Sequence, residues 1–288
     1  MHIKIIRKIK AMIFRLTSCV YLFKYRKDLN YYRYEKLKHQ PIFIIGAPRT
    51  GSTILYQALT NYYDVSYIDN CVDKWHRNLF YGFKESYKKF SNNPHNTFKA
   101  EFGSTSNFSE HAPSECGSFW YRWLPKDRHF VDANEICKKS KEQLYTEVCA
   151  VTNYFDKPLM FKNLNAGQRL RFIKEVFPDA RFIYIKRDHE KVKNSILKAR
   201  EKNNIEKGTI WSVKPKKYDD LLILSNSDMV SQQILRIENQ IEQDSNLFDE
   251  FYTVKFNDFS KVFIRELGNK LKITERDGSS LPIFKKDY

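Results

Sequence analysis

A single stretch, residues 41–59, constrains the fold more than any other part of the chain. It begins with four β-branched or aromatic residues, Ile42 to Ile45, which are typical of a central parallel strand that is buried on both faces. Gly46 and Gly51 then bound a short loop, and a helical pattern follows at once. The N–H groups of residues 49–53 can therefore point into one concavity at the positive end of the helix dipole. This arrangement predicts a phosphate-binding loop.

The spacing of the two glycines makes the prediction more specific. Gly46-x-x-x-x-Gly51 is the glycine frame of the nucleotide triphosphatase loop, but Ser52 stands where that motif requires lysine. Without the lysine, the loop lacks the charge that reaches the terminal phosphate of ATP. The alternative is an ordinary strand, turn and helix with two turn glycines.

The loop sequence Gly-Ala-Pro-Arg-Thr-Gly-Ser-Thr resembles the 5′-phosphosulfate loop of sulfotransferases that use 3′-phosphoadenosine 5′-phosphosulfate (PAPS). The resemblance extends over residues 41–260, and it is strongest in the nucleotide motifs. It implies a P-loop nucleotide-binding, sulfotransferase-like fold and PAPS as co-substrate. It also implies that the loop binds the nucleotide through Arg49, Thr50, Gly51, Ser52 and Thr53.

A second phosphate site is predicted at Arg187 and Ser195. Arg187 follows the strongly β-prone strand 181–186 and offers a planar fork to a phosphate, while Ser195 adds a hydroxyl two helical turns later. The pair resembles the 3′-phosphate motif of sulfotransferases. Open α/β sheets bind ligands at the carboxyl ends of their strands, where both Arg49 and Arg187 are expected. Taken alone, the segment could equally be a solvated helix start.

Lys162 follows another predicted strand, residues 158–161. Its position matches that of a lysine that contacts the transferring sulfuryl group in many sulfotransferases. Sulfuryl transfer is expected to build charge on the leaving-group oxygen, so that hydrogen-bond donors and cations do most of the work and no metal is required. Trp211 stands where a family loop closes over the nucleotide, although an exposed basic loop is as good an interpretation.

The general base is not given directly by the resemblance. Many cytosolic members carry a catalytic histidine two residues after the lysine, but this chain has Leu164 there. Glu115 is the first candidate, because the aromatic run 119–123 could partly remove its carboxylate from water and make it a better base near neutral pH. His111 is the second candidate. The structural alternative for Glu115 is a salt bridge to Arg122 or to another structural arginine.

The rest of the chain alternates between strand and helix patterns. Predicted strands lie at 64–68, 158–162, 181–186 and 251–256, and predicted helices lie at 140–156, 169–177, 188 onward, 230–241 and 260–271. This order predicts an α/β fold with a parallel central sheet flanked by helices. Residues 69–135 are predicted to be irregular with short helices, and the polar segment 91–107 is predicted to lie near the acceptor.

Composition limits the partners. The formal net charge of +16 and the pI near 9.4 predict attraction to polyanions, including a doubly phosphorylated nucleotide or an anionic membrane face. No nucleic-acid-reading signature occurs. The five cysteines are odd in number and never form a Cys-x-x-Cys pair, which disfavours a disulfide framework and a zinc site and fits a cytoplasmic location. No apolar run approaches the roughly 20 residues that span a bilayer.

One domain is expected: residues 27–288 form the sulfotransferase-like domain, and residues 1–26 precede it as a basic amphipathic helix. The helix could bind the inner membrane face or pack on the core. The resemblance implies sulfuryl transfer from PAPS to a hydroxyl. A carbohydrate or glycolipid acceptor is predicted from the basic N-terminal helix and from Trp120, Tyr121 and Trp123, which could stack on sugars or equally be core aromatics. A P-loop small-molecule kinase and a non-enzymatic nucleic-acid-binding protein are the alternatives.

Overall fold

The computed structural model describes residues 26–284 and residue 287. Its centre is a five-stranded sheet in which every paired strand is parallel, in the order β2-β3-β1-β4-β5. The strands are β1 (Ile42–Gly46), β2 (Ser66–Tyr67), β3 (Leu159–Lys162), β4 (Arg181–Lys186) and β5 (Phe251–Lys255). The strand that precedes the predicted phosphate loop is therefore the middle of the sheet.

The apolar run of β1 explains this central position. Every residue from Ile42 to Gly46 is buried, as expected for a strand covered on both faces. Ile42 lies opposite Met160 of β3 on one side and Arg181 of β4 on the other. The N–H and C=O groups of β1 thus have partners on both sides.

Helices cover both faces of the sheet. In chain order they are α1 (Arg26–Tyr31), α2 (Ser52–Tyr62), α3 (Asn70–Asp73), α4 (Leu79–Phe90), α5 (Gly117–Trp120), α6 (Lys138–Phe155), α7 (Leu170–Val176), α8 (His189–Lys202), α9 (Asn226–Asp244) and α10 (Lys261–Lys270). Short 3₁₀ turns occur at Tyr32–Tyr34, Leu164–Gln168, Asp219–Leu221, Ser245–Leu247 and Phe256–Asp258. Polar N-caps fix where several helices begin; for example, Asp188 accepts a hydrogen bond from the N–H of Lys191 at the start of α8.

The two faces of β1 belong to two apolar cores. On one face the ring of Phe43 stacks between those of Phe161 and Phe182, with centroids 5.1 and 5.2 Å away, and α6, α7 and α9 cover this layer. On the other face Ile42 and Ile44 pack against α2 and α10. Burial of these apolar side chains is the main contribution to the stability of the sheet.

The predicted α/β architecture is confirmed, and the bounds of the predicted strands and helices differ from the observed ones by at most four residues. The largest difference is α4, a 12-residue helix within the region predicted to be irregular with short helices. Residues 1–25 of the predicted N-terminal helix lie outside the described residues, and Arg26 begins α1. In the described part of the chain, no helix is long and apolar enough to cross a membrane.

Candidate active site

The predicted phosphate loop connects β1 to α2. Gly51 adopts a φ of +97°, and a Cβ atom at this position would lie 2.3 Å from the ring of Phe256, so only glycine fits. The hydroxyl of Thr50 donates to the carbonyl of Ala47 at 2.8 Å, which closes the loop on itself. The first N–H groups of α2 lack intrahelical partners because of their position at the helix start. The loop therefore presents N–H donors to the cleft, while the hydroxyl of Thr50 serves the loop itself.

The two predicted phosphate motifs are in direct contact. Arg49, in the left-handed region with a φ of +69°, donates from Nε to the Oγ of Ser195 at 3.0 Å. Arg187 donates from Nη1 to the main-chain carbonyl of Arg49 at 3.0 Å. Residues far apart in sequence are thus joined at the carboxyl ends of β1 and β4, as the sequence predicts.

This contact concentrates positive charge. Burial, and then the neighbouring Arg187, lower the pKa of Arg49 from its ordinary value. The guanidinium carbon of Arg187 lies 4.3 Å from the centroid of the Phe256 ring, and within the described residues its buried Nε has no hydrogen-bond partner. Two adjacent guanidinium groups with an unused buried donor fit a phosphate, which neutralises both charges and accepts the free N–H.

Lys162 and Glu115 form an ion pair in the same cleft. Lys162 ends β3 with a side chain that is only 3% exposed, and its ammonium group contacts the carboxylate of Glu115, whose side chain is 39% exposed. Asp73 positions the loop around Glu115, because its carboxylate accepts from the hydroxyl of Ser114 at 2.6 Å and from the Sγ of Cys116 at 3.2 Å. The pair places one cation and one proton acceptor side by side.

These groups share one cleft of about 330 Å³. The predicted site residues that line it are Arg49, Gly51, Ser52, Thr53, Glu115, Lys162, Arg187 and Trp211. Thr50 and Ser195 are not among its lining residues, although Ser195 supports Arg49. Four residues of the polar segment 91–107 also line the cleft: Phe98, Ala100, Phe102 and Gly103.

His111 does not share this cleft. Its Nδ1 lies 2.9 Å from Oδ2 of Asp69, its Nε2 lies 2.9 Å from the carbonyl oxygen of Asn93, and its ring stacks on Phe90 with centroids 4.2 Å apart. It lines a separate, small cavity beside Arg276. These contacts fix neighbouring segments to each other, so the geometry favours Glu115 over His111 as the proton acceptor.

The aromatic run 119–123 differs from its prediction. Phe119 and Trp120 are buried in the main core, and the partly exposed carboxylate of Glu115 faces Lys162 instead of these rings. The expected alternative, a salt bridge between Glu115 and Arg122, is also wrong, because Arg122 pairs with Glu147. The run therefore neither desolvates Glu115 nor lines the cleft as a sugar platform.

Several residues in or beside the cleft are absent from the sequence prediction. Phe256 packs against both Gly51 and Arg187, and its position just after β5 is the signal that could have identified it. Phe102 and Gly103 belong to a segment predicted to lie near the acceptor, but no motif in that segment distinguishes these two residues. Across the described residues, no group of three or more His, Cys, Asp or Glu side chains is arranged to hold a metal ion.

Comparison with known proteins agrees with this geometry. A family model described as "Sulfotransferase family" matches residues 41–261. The fold is similar to that of sulfotransferase STF9 from Mycobacterium avium, with a TM-score of 0.54 and 13% identity over 90% of this chain and 69% of that one. It is also similar to sulfotransferase STF1 from Mycobacterium tuberculosis H37Rv, with a TM-score of 0.56 and 15% identity over 92% of this chain and 74% of that one. No curated protein sequence matches the chain. With the family model covering both phosphate motifs and Lys162, the chain belongs to the sulfotransferase family.

Proposed function

We propose that the protein transfers a sulfuryl group from PAPS to a hydroxyl group of a carbohydrate or glycolipid. The observation that carries the proposal is the contact between the lysine-free phosphate loop and the Arg187–Ser195 motif, through Arg49. A nucleotide with phosphates on both its 5′ and 3′ positions suits two adjoining anion sites. A nucleotide with one phosphate chain leaves one site unused.

The groups proposed to hold the nucleotide have hydrogen-bond donors that are free to bind it. The N–H groups of the loop and of the first turn of α2 hold the 5′-phosphosulfate, and Ser52 and Thr53 add hydroxyls. Arg187 and Ser195 hold the 3′-phosphate, for which Arg187 has the free Nε. PAPS supplies an activated sulfuryl group at the end of this site.

The transfer step uses Lys162 and Glu115. The acceptor oxygen forms a new S–O bond while the bond between sulfur and the nucleotide's phosphate oxygen breaks, and the acceptor's proton passes to the carboxylate of Glu115. The ammonium group of Lys162 offsets negative charge that grows on the leaving oxygen. The products are a sulfate ester and adenosine 3′,5′-bisphosphate.

The acceptor proposal rests on rings different from those first expected. Phe98 and Phe102 line the cleft and offer apolar faces for a sugar ring. The basic amphipathic pattern of residues 1–26 favours a glycolipid acceptor at an anionic membrane surface on the cytoplasmic side.

The experiment combines binding and transfer. Thermal shifts with adenosine 3′,5′-bisphosphate, Mg-ATP and an oligonucleotide, each at two salt concentrations, should show stabilisation by the bisphosphate that persists at the higher salt. Sulfur-labelled PAPS is then incubated with methyl glycosides of hexoses, hexosamines and uronic acids and with a glycolipid extract, and labelled product is measured. Stabilisation by Mg-ATP alone would favour the kinase alternative, and stabilisation by the oligonucleotide alone would favour nucleic-acid binding.

A further inference from the structure

A tight turn, Glu101–Ser104, lies over the cleft. The N–H of Glu101 donates to the carbonyl of Ser104, and the N–H of Ser104 donates to the carbonyl of Glu101, both at 2.8 Å. Between them Phe102 and Gly103 have φ values of +48° and +96°. Positive φ at both central residues is the pattern of a two-residue hairpin turn of type I′, which strongly favours glycine or asparagine.

The turn is anchored to the phosphate loop, to α2 and to the end of α8. The Phe102 ring centroid lies 5.8 Å from the guanidinium carbon of Arg49 in the phosphate loop and 4.8 Å from the ammonium nitrogen of Lys202 at the end of α8. Lys202 also pairs with Glu101 at 3.6 Å. On the preceding arm, Gln57 of α2 donates to the carbonyl of Lys99 at 2.9 Å. These contacts hold the turn as a wall of the cleft.

Gly103 faces the reactive groups. A Cβ atom built on it would lie 3.5 Å from the Oγ1 of Thr53, 3.7 Å from the Nζ of Lys162 and 3.9 Å from the Oε1 of Glu115. The point in front of this glycine is therefore surrounded by a hydroxyl, an ammonium and a carboxylate. An acceptor hydroxyl that gives its proton to Glu115 beside Lys162 must reach this point.

We propose that Gly103 is a specificity-determining residue and that the turn Glu101–Ser104 is the acceptor-side wall of the cleft. This inference rests on the proposed sulfuryl transfer. The missing side chain keeps open the point where the acceptor hydroxyl meets the sulfuryl group. Thr53 and Arg49 of the phosphate loop face this turn, whereas the groups proposed for the 3′-phosphate, Arg187 and Ser195, are not among its described partners. A side chain at Gly103 therefore obstructs the acceptor more than bound adenosine 3′,5′-bisphosphate, which carries no sulfuryl group.

The test is Gly103→Asn, because asparagine tolerates positive φ better than other residues with a side chain. The matched control is Gly278→Asn, since Gly278 has a φ of +70° but nothing within 4 Å of an added Cβ. We expect Gly103→Asn to bind adenosine 3′,5′-bisphosphate within about twofold of the unaltered protein and to lose about 100-fold in transfer to the best glycoside of the panel, the size of loss that misplacement by about 1 Å causes. Gly278→Asn should retain both. Gly103→Ala, with a smaller side chain, should retain nucleotide binding and lose less transfer.

The outcomes separate this inference from the proposed function. If the unaltered protein neither binds the bisphosphate nor transfers label, the proposed function fails. If it does both and Gly103→Asn transfers at the same rate, the assignment of Gly103 is overturned. Equal loss of nucleotide binding and transfer in Gly103→Asn and Gly103→Ala also overturns it, because the turn then serves the nucleotide.

Discussion

Replacing Arg187 with glutamine should separate the two phosphate sites. In the structure its Nη1 donates to Arg49 at 3.0 Å, so its buried Nε and its Nη2 remain for a phosphate. A hydrogen bond to a charged group contributes about 1.5–3 kcal/mol. The loss is partly offset because removing Arg187 relieves Arg49, whose pKa burial and the adjacent guanidinium both lower. We expect a net loss of about 2 kcal/mol, or about 30-fold in the dissociation constant of adenosine 3′,5′-bisphosphate.

The assay is titration calorimetry with this bisphosphate and with adenosine 5′-monophosphate, which lacks the 3′-phosphate. The affinity for the monophosphate should change less in Arg187→Gln. The loop N–H groups, Ser52 and Thr53 are retained, and the 5′ side loses only the hydrogen bond from Arg187 to the carbonyl of Arg49. Lys186→Gln is the matched control, since Lys186 carries the same charge one residue earlier but pairs with Glu242 at 2.6 Å and does not line the cleft. An equal loss for both nucleotides would assign Arg187 to the 5′ side. Unchanged affinity in a folded variant would refute the reasoning entirely.

Three further predictions address catalysis, pH and the N-terminus. Glu115→Gln should keep nucleotide affinity but lower turnover by roughly 10²–10⁴-fold, the contribution of positioned proton transfer. Near-normal steady-state turnover in Glu115→Gln, together with loss of turnover in His111→Ala, would assign the general base to His111. Burial, and then Arg169 and Lys214, lower the pKa of His129 to about 4. In the unfolded chain this histidine has an ordinary pKa near 6.5, so between about pH 4 and pH 6.5 the unfolded state binds more protons than the folded state. The free energy of unfolding should therefore fall by about 1.5 kcal/mol through His129 as the pH is lowered from 6.5 to 5. Urea denaturation should show a smaller pH slope in His129→Gln. Deleting residues 1–26 should release the protein from anionic liposomes, measured by co-sedimentation, and leave bisphosphate binding intact, measured by titration calorimetry. If the deletion unfolds the domain, this segment is part of the core.

The parts of the site that sequence predicted are local. The loop between β1 and α2 is specified by Gly46, Gly51 and the apolar run before them, so its chemistry can be identified within a short window. Arg187 and Lys162 were predicted from their resemblance to family motifs, and both stand at strand ends, Arg187 just after β4 and Lys162 as the last residue of β3. The carboxyl ends of parallel strands meet at one edge, which brings these residues together without knowledge of any side-chain contact.

The parts that sequence did not predict depend on packing between distant segments. The aromatic residues near Glu115 could have surrounded it, but Phe119 and Trp120 gain more by entering the core beside Phe161, and this leaves Lys162 as the partner of Glu115. Helix α4 was underestimated because Gly82 interrupts an aromatic-rich segment that is stabilised by tertiary burial instead of helix propensity. The hydrophobic periodicity of the sequence reveals neither the core packing of Phe119 and Trp120 nor the tertiary stabilisation of α4.

The central position of β1 also affects how the chain is made. Both of its partners, β3 and β4, are translated more than a hundred residues later. At about 5–20 residues per second, roughly a hundred residues occupy the ribosome for about 5 to 20 seconds. During that time the strand Ile42–Gly46 has emerged as an unpaired, wholly apolar edge, the kind of segment that aggregates or recruits chaperones. The strand that precedes the loop in the finished protein is therefore an aggregation-prone segment of the nascent one.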